Sequence, residues 1–191
     1  MTKPTAANRR DELLAAAAAC FFREGYDAAS MRTIADEAGM RTASIYYHFD
    51  SKDDLLVAVH EEALRRIREA TRGALRDVEG PWERLEAAAV AHLETLLTGG
   101  AFIKAVMRHV PSKVEGRKLI FKLRDEYENI FTDLIAVLEL PPGTDRETLR
   151  LMLLGAMNWS FTWWRPQDGP EPPDLASRFV TNLRIGLDIS S

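Results

Sequence analysis

Tyr46, Tyr47 and His48 form the cluster of side chains in this sequence that is best suited to binding phosphate. Each of the three can donate a hydrogen bond to a phosphate oxygen. No carboxylate stands between positions 39 and 49 to repel an anion, and the small residues 42–44 allow close approach to base edges. We therefore expect this segment to contact both the backbone and the bases of DNA.

The elements that would hold this cluster are two short helices joined by a tight turn. Ser30 is a good N-cap for the first helix, which carries Ile34 and Ala35 before Gly39 ends it. The second helix is expected over residues 42–48. A helix, a short turn and a second helix of this size form the helix-turn-helix layout, in which the second helix lies in the major groove.

An ordinary amphipathic helix in a bundle is the simpler interpretation of the same segment. It explains Ile45 and Phe49 as core residues, but it leaves Tyr46, Tyr47 and His48 with polar ends that are costly to bury. The DNA-binding interpretation accounts for both groups of residues and is preferred.

Three stretches between Leu13 and Leu56 resemble the tetracycline-repressor (TetR) family of bacterial transcription regulators. They are FFREGYDAAS at 21–30, IADEAG at 34–39 and SIYYHF at 44–49, followed by Ser51-Lys52, and the match covers nearly a quarter of the chain. The resemblance implies an all-helical homodimer with a DNA-binding head and a variable ligand-binding body. The DNA contacts that it implies are Arg32, Thr33, Arg41, Thr42, Ala43, Ser44, Tyr46, Tyr47, His48 and Lys52.

Two positions depart from the pattern of the family. Arg41 stands where a capping Ser or Thr is usual, and Ala43 replaces a common Gly. Thr42 is therefore expected to cap the second helix. Arg41 becomes the candidate for reading a guanine edge, a contact that gives about 1–3 kcal/mol of discrimination against the wrong base.

The rest of the chain also predicts helices, so the expected fold class is all-α with about nine helices. Gly25, Gly39, Pro81, Gly99-Gly100 and Pro141-Pro142 separate stretches with apolar residues at helical spacing. We expect residues 1–52 to form the helix-turn-helix domain and residues 53–191 to form the domain that binds ligand and dimerises. One apolar face of the last helix is expected to form the dimer interface together with the preceding helix; it carries Leu175, Phe179, Leu183 and Leu187.

The run from Leu153 to Pro166 holds three of the four tryptophans. On a helix, Trp159 and Trp163 share one face, which suits either a core or dimer contact or a ligand site. The pattern GAMNW followed by WWRP also resembles TetR-type regulators of fatty-acid and steroid breakdown, whose effectors are acyl-CoA thioesters. The ligand-binding residues expected on this basis are Phe102, Met107, Phe121, Tyr127, Met157, Asn158, Trp159, Thr162, Trp163 and Arg165.

An acyl-CoA effector needs cations for its phosphates in addition to an apolar tunnel. Seven basic residues of the body are available for this purpose, although most such side chains on amphipathic helices are simply solvated. His92 and His109 receive no role. The seven are Arg108, Lys113, Arg117, Lys118, Lys122, Arg124 and Arg165.

The charge of the chain is unevenly placed. Its 191 residues carry 25 Lys and Arg against 29 Asp and Glu, a net charge of −4. Residues 1–52 hold seven basic residues, among them Lys3, and seven acidic ones, so the negative charge belongs to the body. A nearly neutral head predicts that DNA affinity depends on dimerisation and falls moderately with salt.

Several other function classes find no support in the residues. None of the four histidines follows a Glu by three positions, and the sequence has no zinc-protease, phosphate-loop or Gly-x-Ser-x-Gly motif. We expect no enzyme activity, metal or cofactor, so a helical-bundle enzyme or a lipid carrier is the weaker alternative. Within the TetR-type interpretation, a regulator of drug efflux that senses hydrophobic or cationic compounds stays open.

The apolar stretch after Arg9 and Arg10 superficially resembles a signal peptide. Asp11 and Glu12 stand where a positive region is required, and the alanines at 15–19 are strong helix formers. No run of 18 apolar residues occurs, so no membrane span is predicted. These features predict an amphipathic first helix and a cytoplasmic location.

Overall fold

The structure, a computed structural model, describes residues 6–188, without the side chains of residues 6–8 and 188. Lys3 lies outside the described residues. Within that range the chain forms nine helices and no strand, which confirms the predicted all-α class. They are α1 Ala6–Glu24, α2 Met31–Glu37, α3 Thr42–Ile45, α4 Lys52–Ala74, α5 Pro81–Thr98, α6 Gly100–Val106, α7 Arg117–Ala136, α8 Arg146–Trp163 and α9 Pro172–Asp188.

Two compact units make up the molecule. Unit 1 contains the residues up to 65 together with 100–124, and unit 2 contains 66–99 together with the residues from 125 onward. In unit 1, α1 packs against α2 and α6, and α2 packs against α3. In unit 2, α5, α8 and α9 pack against one another. Helices α4 and α7 contribute residues to both units.

Local signals in the sequence set most helix ends. The amide of Gly25 donates to the carbonyl of Phe21 at 3.0 Å, and Gly25 ends α1 with a φ of 81°. Ser51 accepts a hydrogen bond from the Asp54 amide at 3.0 Å at the start of α4. Asp145 accepts from the amide of Glu147 at 3.0 Å and so caps α8. These contacts reach only a few residues along the chain, which makes them predictable.

Helix α3 is shorter than expected. The α3 helix ends at Ile45 and not at His48, because the His48 amide turns back to the Ile45 carbonyl at 2.8 Å and closes a tighter turn. The prediction that Thr42 caps α3 is wrong: Arg41 occupies the N-cap position, and its side chain makes no capping hydrogen bond.

The apolar face expected on α9 is partly buried within unit 2. Leu175 is buried within unit 2 with 7% of its surface exposed, and Phe179, Leu183 and Leu187 are half-buried. Because α9 packs on α5 and α8, this face supports its own protomer. Leu175 in particular has no surface left for a partner subunit.

Candidate nucleic-acid interface and ligand site

Helix α2 and the following turn form the rigid base of the candidate DNA-binding surface. The Thr33 amide donates to Ser30 Oγ at 3.0 Å, which caps α2. Ile34 is completely buried, so the helix is anchored on its inner side. Gly39 adopts a φ of 63°, a conformation that glycine reaches without strain, and it turns the chain toward α3.

The segment after the turn is held by two apolar side chains one helical turn apart. Ile45 is fully buried and Phe49 is 8% exposed. The Phe49 amide donates to the Ile45 carbonyl at 3.0 Å, and the guanidinium of Arg10 lies 5.2 Å from the centre of the Phe49 ring. These contacts fix the orientation of the outer face of residues 41–48.

That outer face carries most of the residues expected to contact DNA. Tyr47 is 85% exposed and Tyr46 is 52% exposed, and the rings of Tyr47 and His48 are nearly perpendicular with their centres 5.3 Å apart. Tyrosines this exposed gain little from the protein itself, which favours a partner for their rings and hydroxyls. Arg32, Arg41, Ala43 and Ser44 are also exposed, whereas Thr33, Thr42 and His48 are half-buried.

Lys52 is engaged within the protein, unlike the other expected DNA contacts. Its Nζ donates to the carbonyls of Tyr26 and Ala29, both at 2.8 Å, and lies 4.2 Å from the centre of the Tyr26 ring. Burial lowers the pKa of its ammonium group. Lys52 therefore ties the start of α4 to the loop that precedes α2.

The same loop is connected to residues 108–115 of unit 1. Asp53 accepts hydrogen bonds from the Tyr26 hydroxyl and from the Glu115 amide, the latter at 2.7 Å. Burial, followed by the bond to Asp53, raises the pKa of Tyr26, so its hydroxyl stays protonated. Arg108 donates from Nε to the Phe22 carbonyl at 3.0 Å. The candidate DNA-binding elements are thus linked to the segment just before α7.

The expected ligand residues fall into both units. In unit 1, Phe102 is buried, whereas Met107 and Phe121 are half-buried. In unit 2, Met157 is fully buried and Tyr127 is 3% exposed. Trp159 and Trp163 are 68% and 45% exposed, and Thr162 and Arg165 are exposed as well. Arg165 donates to the carbonyls of Thr162 and Trp164, where it closes the end of α8.

A chain of polar groups crosses the core of unit 2. Tyr127 Oη lies 2.7 Å from Nδ1 of His92 and 3.2 Å from the Thr71 hydroxyl. On the other side of the ring, Nε2 of His92 lies 3.2 Å from Oδ1 of Asn158. Because that oxygen can only accept, Nε2 donates and Nδ1 accepts from Tyr127. Burial lowers the pKa of His92 to about 4, so the ring is neutral.

Sequence reasoning missed His92 and Thr71 as members of this network. His92 follows Leu85 and Ala89 in the apolar register of α5, which is the signal that could have placed it in the core.

No cluster of three or more metal-ligating His, Cys, Asp or Glu side chains occurs among the described residues. None of the helices described is long and apolar enough to cross a membrane.

Comparison with known proteins identifies the family. The sequence profile "Bacterial regulatory proteins, tetR family" matches residues 13–59, and "Tetracyclin repressor-like, C-terminal domain" matches residues 78–187. The chain belongs to the TetR family. Members of this family are transcription regulators, not enzymes.

Three curated relatives illustrate the similarity. FasR of Mycolicibacterium smegmatis, an HTH-type transcriptional activator, is 40% identical over 86 residues, which cover 45% of this chain and 39% of FasR. KstR2 of Rhodococcus jostii, an HTH-type transcriptional repressor, is 36% identical over 107 residues, covering 51% of this chain and 47% of KstR2. The alignments thus span less than half of either relative. The fatty acid metabolism regulator protein of Bacillus subtilis is 25% identical over 163 residues, covering 82% and 84% of the two chains.

Proposed function

We propose that this TetR-family protein is a ligand-responsive transcriptional repressor that binds a two-fold symmetric operator as a dimer. The observation that carries the proposal is the exposed, acid-free face of residues 41–48, above all the 85% exposed Tyr47. Tyr46, Tyr47 and His48 would contact phosphates and so set the position of the head on DNA. Arg32 and Arg41, both exposed, would contribute the cationic contacts.

We assign recognition of specific DNA bases to Arg41. Its side chain is exposed at the N-terminus of α3 and makes no capping bond, so its guanidinium can reach a guanine edge. Titration of labelled DNA from beside the protein's own gene tests this. Arg41→Ala should relax the preference for operator over scrambled DNA, whereas Ser44→Ala should retain most of it. Unchanged selectivity of the Arg41 variant would contradict the assignment.

The dimer interface is assigned to the exposed apolar side chains of α8. Met152, Trp159 and Trp163 follow one another at helical spacing and are 61%, 68% and 45% exposed. A patch of this kind on the surface of a protomer favours a protein partner. We assign dimerisation to α8 and α9; a dimer that reads successive major grooves needs its two α3 helices about 34–36 Å apart, one turn of DNA.

Sedimentation velocity tests this interface. Trp159→Glu should convert the dimer into a monomer at micromolar concentration. Val137→Glu is the matched control, because Val137 is 61% exposed in the same unit but lies outside α8. A dimeric Trp159 variant, or a monomeric control, would contradict the assignment.

The effector is proposed to be an acyl-CoA thioester from lipid or steroid breakdown. The GAMNW and WWRP pattern of α8 and the similarity to a fatty acid metabolism regulator support this class. Phe102, Met107 and Phe121 supply apolar side chains for the acyl group in unit 1. An effector that favours the free form by about 1–3 kcal/mol is enough for regulation.

Release of the operator by a panel of compounds tests the effector. Acyl-CoAs should release the DNA, and free fatty acids and cationic drugs should not. Release by cationic drugs alone would favour a regulator of drug efflux, and no release by any acyl-CoA would refute the acyl-CoA assignment.

The direction of regulation and the division into domains are part of the same proposal. A repressor leaves its operator when the effector binds, so a reporter gene behind the operator should be induced by the effector. Reduced expression would instead indicate an activator.

We assign DNA binding to residues 1–52 and ligand binding and dimerisation to residues 53–191. Regulation of an operator places the protein with the chromosome in the cytoplasm.

A further inference from the structure

Two arginines of α7 lie against the same aromatic ring in unit 1. The guanidinium of Arg117 is 4.5 Å from the centre of the Phe121 ring, and that of Arg124 is 5.5 Å from it. Neither arginine has a carboxylate partner within the described part of the chain. Two uncompensated positive charges held on one ring repel each other, so an anion bound beside them would be stabilised.

Unpartnered polar atoms accompany these charges. Nε of Arg117 and Nδ1 of His60 are both buried and have no hydrogen-bond partner among the described residues. His60 is only 1% exposed. Burial, with a smaller contribution from the charge of Arg124, lowers the pKa of His60 to about 4. A neutral His60 can still donate from Nδ1, so unit 1 holds two buried donor atoms that have no acceptor among the described residues.

Most other cations of the body are already engaged. Arg108 donates to the Phe22 carbonyl, Lys113 pairs with Asp27, and Arg165 donates to the carbonyls of Thr162 and Trp164. Lys122 also has a partner. Of the seven cations considered from the sequence, Arg117 and Lys118 have neither a carboxylate nor a carbonyl partner in the part of the chain that the structure describes, and Lys118 is exposed. Arg124 makes a long hydrogen bond, at 3.5 Å, to the Val106 carbonyl.

We propose that Arg117 and Arg124, with His60 as an additional donor, bind a phosphate group of the effector. The proposal rests on the function proposed above, in which the body binds an acyl-CoA thioester, and it assigns the anionic end of that ligand to unit 1. Planar guanidinium groups match the geometry of phosphate oxygens and form two hydrogen bonds each. The Phe121 ring holds both of them in place.

This phosphate site adjoins the contacts that hold the DNA-binding elements. Gly116, next to Arg117, packs so closely on α4 that a Cβ atom there would overlap Cγ2 of Val57. The amide of Glu115 donates to Asp53, which also accepts from Tyr26. A phosphate that binds Arg117 would therefore shift residues 115–117, and with them the Glu115 amide that donates to Asp53. Binding at one end of this segment is thereby coupled to the position of the DNA-binding elements.

Isothermal titration of the full-length protein tests the site. The ligands are coenzyme A, dodecanoyl-CoA, dodecanoate and inorganic pyrophosphate, which separate the phosphate from the acyl chain. Each of Arg117→Gln and Arg124→Gln should weaken binding of both coenzyme A compounds about ten-fold or more, the usual effect of removing a charge-assisted hydrogen bond. His60→Phe should weaken them by a smaller factor, and dodecanoate binding should not change.

Lys118→Gln is the matched control, since it removes a positive charge beside Arg117 from an exposed position. It should change coenzyme A affinity by less than about two-fold. An equal effect in the control, or no effect in the arginine variants, would overturn the proposal, as would failure of the wild type to bind coenzyme A and pyrophosphate.

Lysine variants keep the proposal testable if a glutamine variant does not fold, as judged by circular dichroism. Arg117→Lys and Arg124→Lys keep the positive charge and remove the planar fork that can form two hydrogen bonds with phosphate. Each should weaken coenzyme A binding by more than Lys118→Gln does. Affinities equal to that of the wild type would overturn the proposal.

The site and the regulatory function fail in distinguishable ways. If dodecanoate releases the operator and the arginine variants respond as the wild type does, the regulator stands and the phosphate site falls. If coenzyme A binding depends on Arg117 and Arg124 but no DNA is bound by the wild type, the site stands and the regulatory function falls.

Discussion

A substitution at Lys52 can show whether this residue supports the structure or contacts DNA, because the two roles predict opposite results for the same variant. Its ammonium group donates to the carbonyls of Tyr26 and Ala29 at 2.8 Å and lies over the Tyr26 ring. Lys52→Met keeps the aliphatic stem and removes the charge. It also leaves the Ala29 carbonyl, in a residue that is 1% exposed, without this donor.

The expected decrease is about 3–4 kcal/mol of unfolding free energy. Each hydrogen bond to a charged group contributes about 1.5–3 kcal/mol, and the low end applies here because Lys52 is only half-buried. The cation–π contact adds about 0.5–1 kcal/mol. Urea denaturation followed by circular dichroism measures the decrease, and hydrogen exchange of residues 26–33 should be faster in the variant.

Arg32→Met is the control for a phosphate contact, since Arg32 is exposed on α2. It should leave stability within about 0.5 kcal/mol of the wild type. For each phosphate that the variant no longer neutralises, the slope of log affinity against log salt should become shallower by about 0.9. If Lys52→Met behaves in this way, with unchanged stability and a shallower salt slope, the structural role is refuted.

Three further predictions concern stability. His60 and His92 have pKa values lowered to about 4, below the value of about 6.5 expected when unfolded, so the unfolded chain binds more protons between these values. Their contribution to stability should therefore be fully present above pH 6.5 and fall toward pH 4, by up to about 3 kcal/mol for each histidine; equal urea midpoints at pH 7.5 and 4.5 would rule this out. Ser30→Ala removes the cap of α2 and should cost about 1 kcal/mol in urea denaturation, whereas Ser44→Ala should cost less than roughly 0.5 kcal/mol, the limit for exposed sites. Gly116→Ala forces a Cβ against Val57 and should lower the unfolding free energy by about 1–3 kcal/mol; Val57→Ala in the same chain should restore part of it, and an additive double variant would argue against the contact.

Helix positions were predictable because their signals are local. The cap at Ser30, the left-handed Gly25 and Gly39 and the capping Asp145 all act within three or four residues of themselves. The end of α3 escaped prediction, since a tight turn at His48 and a continued α-helix are compatible with the same residue types. The family pattern implied that Tyr47 and Lys52 both contact DNA. It could not show that Tyr47 is exposed, whereas Lys52 is hydrogen-bonded within the protein.

Contacts between distant residues required the tertiary structure. His92 meets Tyr127 and Asn158, which lie 35 and 66 positions away in the chain. No local pattern links such residues, and each alone resembles an ordinary member of an amphipathic helix. The same reason explains why seven cations looked equivalent in the sequence, whereas the structure engages Arg108 with the Phe22 carbonyl and Lys113 with Asp27, both far away in the chain.

The amino-acid sequence by itself determined the all-helical class, most helix ends and the motif of the DNA-binding head, because helical periodicity, caps and turns depend on neighbouring residues. Only the tertiary structure decided which side chains stay free to bind a ligand or DNA. Packing engaged Lys52 in a loop and Leu175 in the core of unit 2, while it left Tyr47 and Trp159 exposed. A side chain's availability is set by what other parts of the chain place beside it, and that information becomes explicit only when the chain is folded.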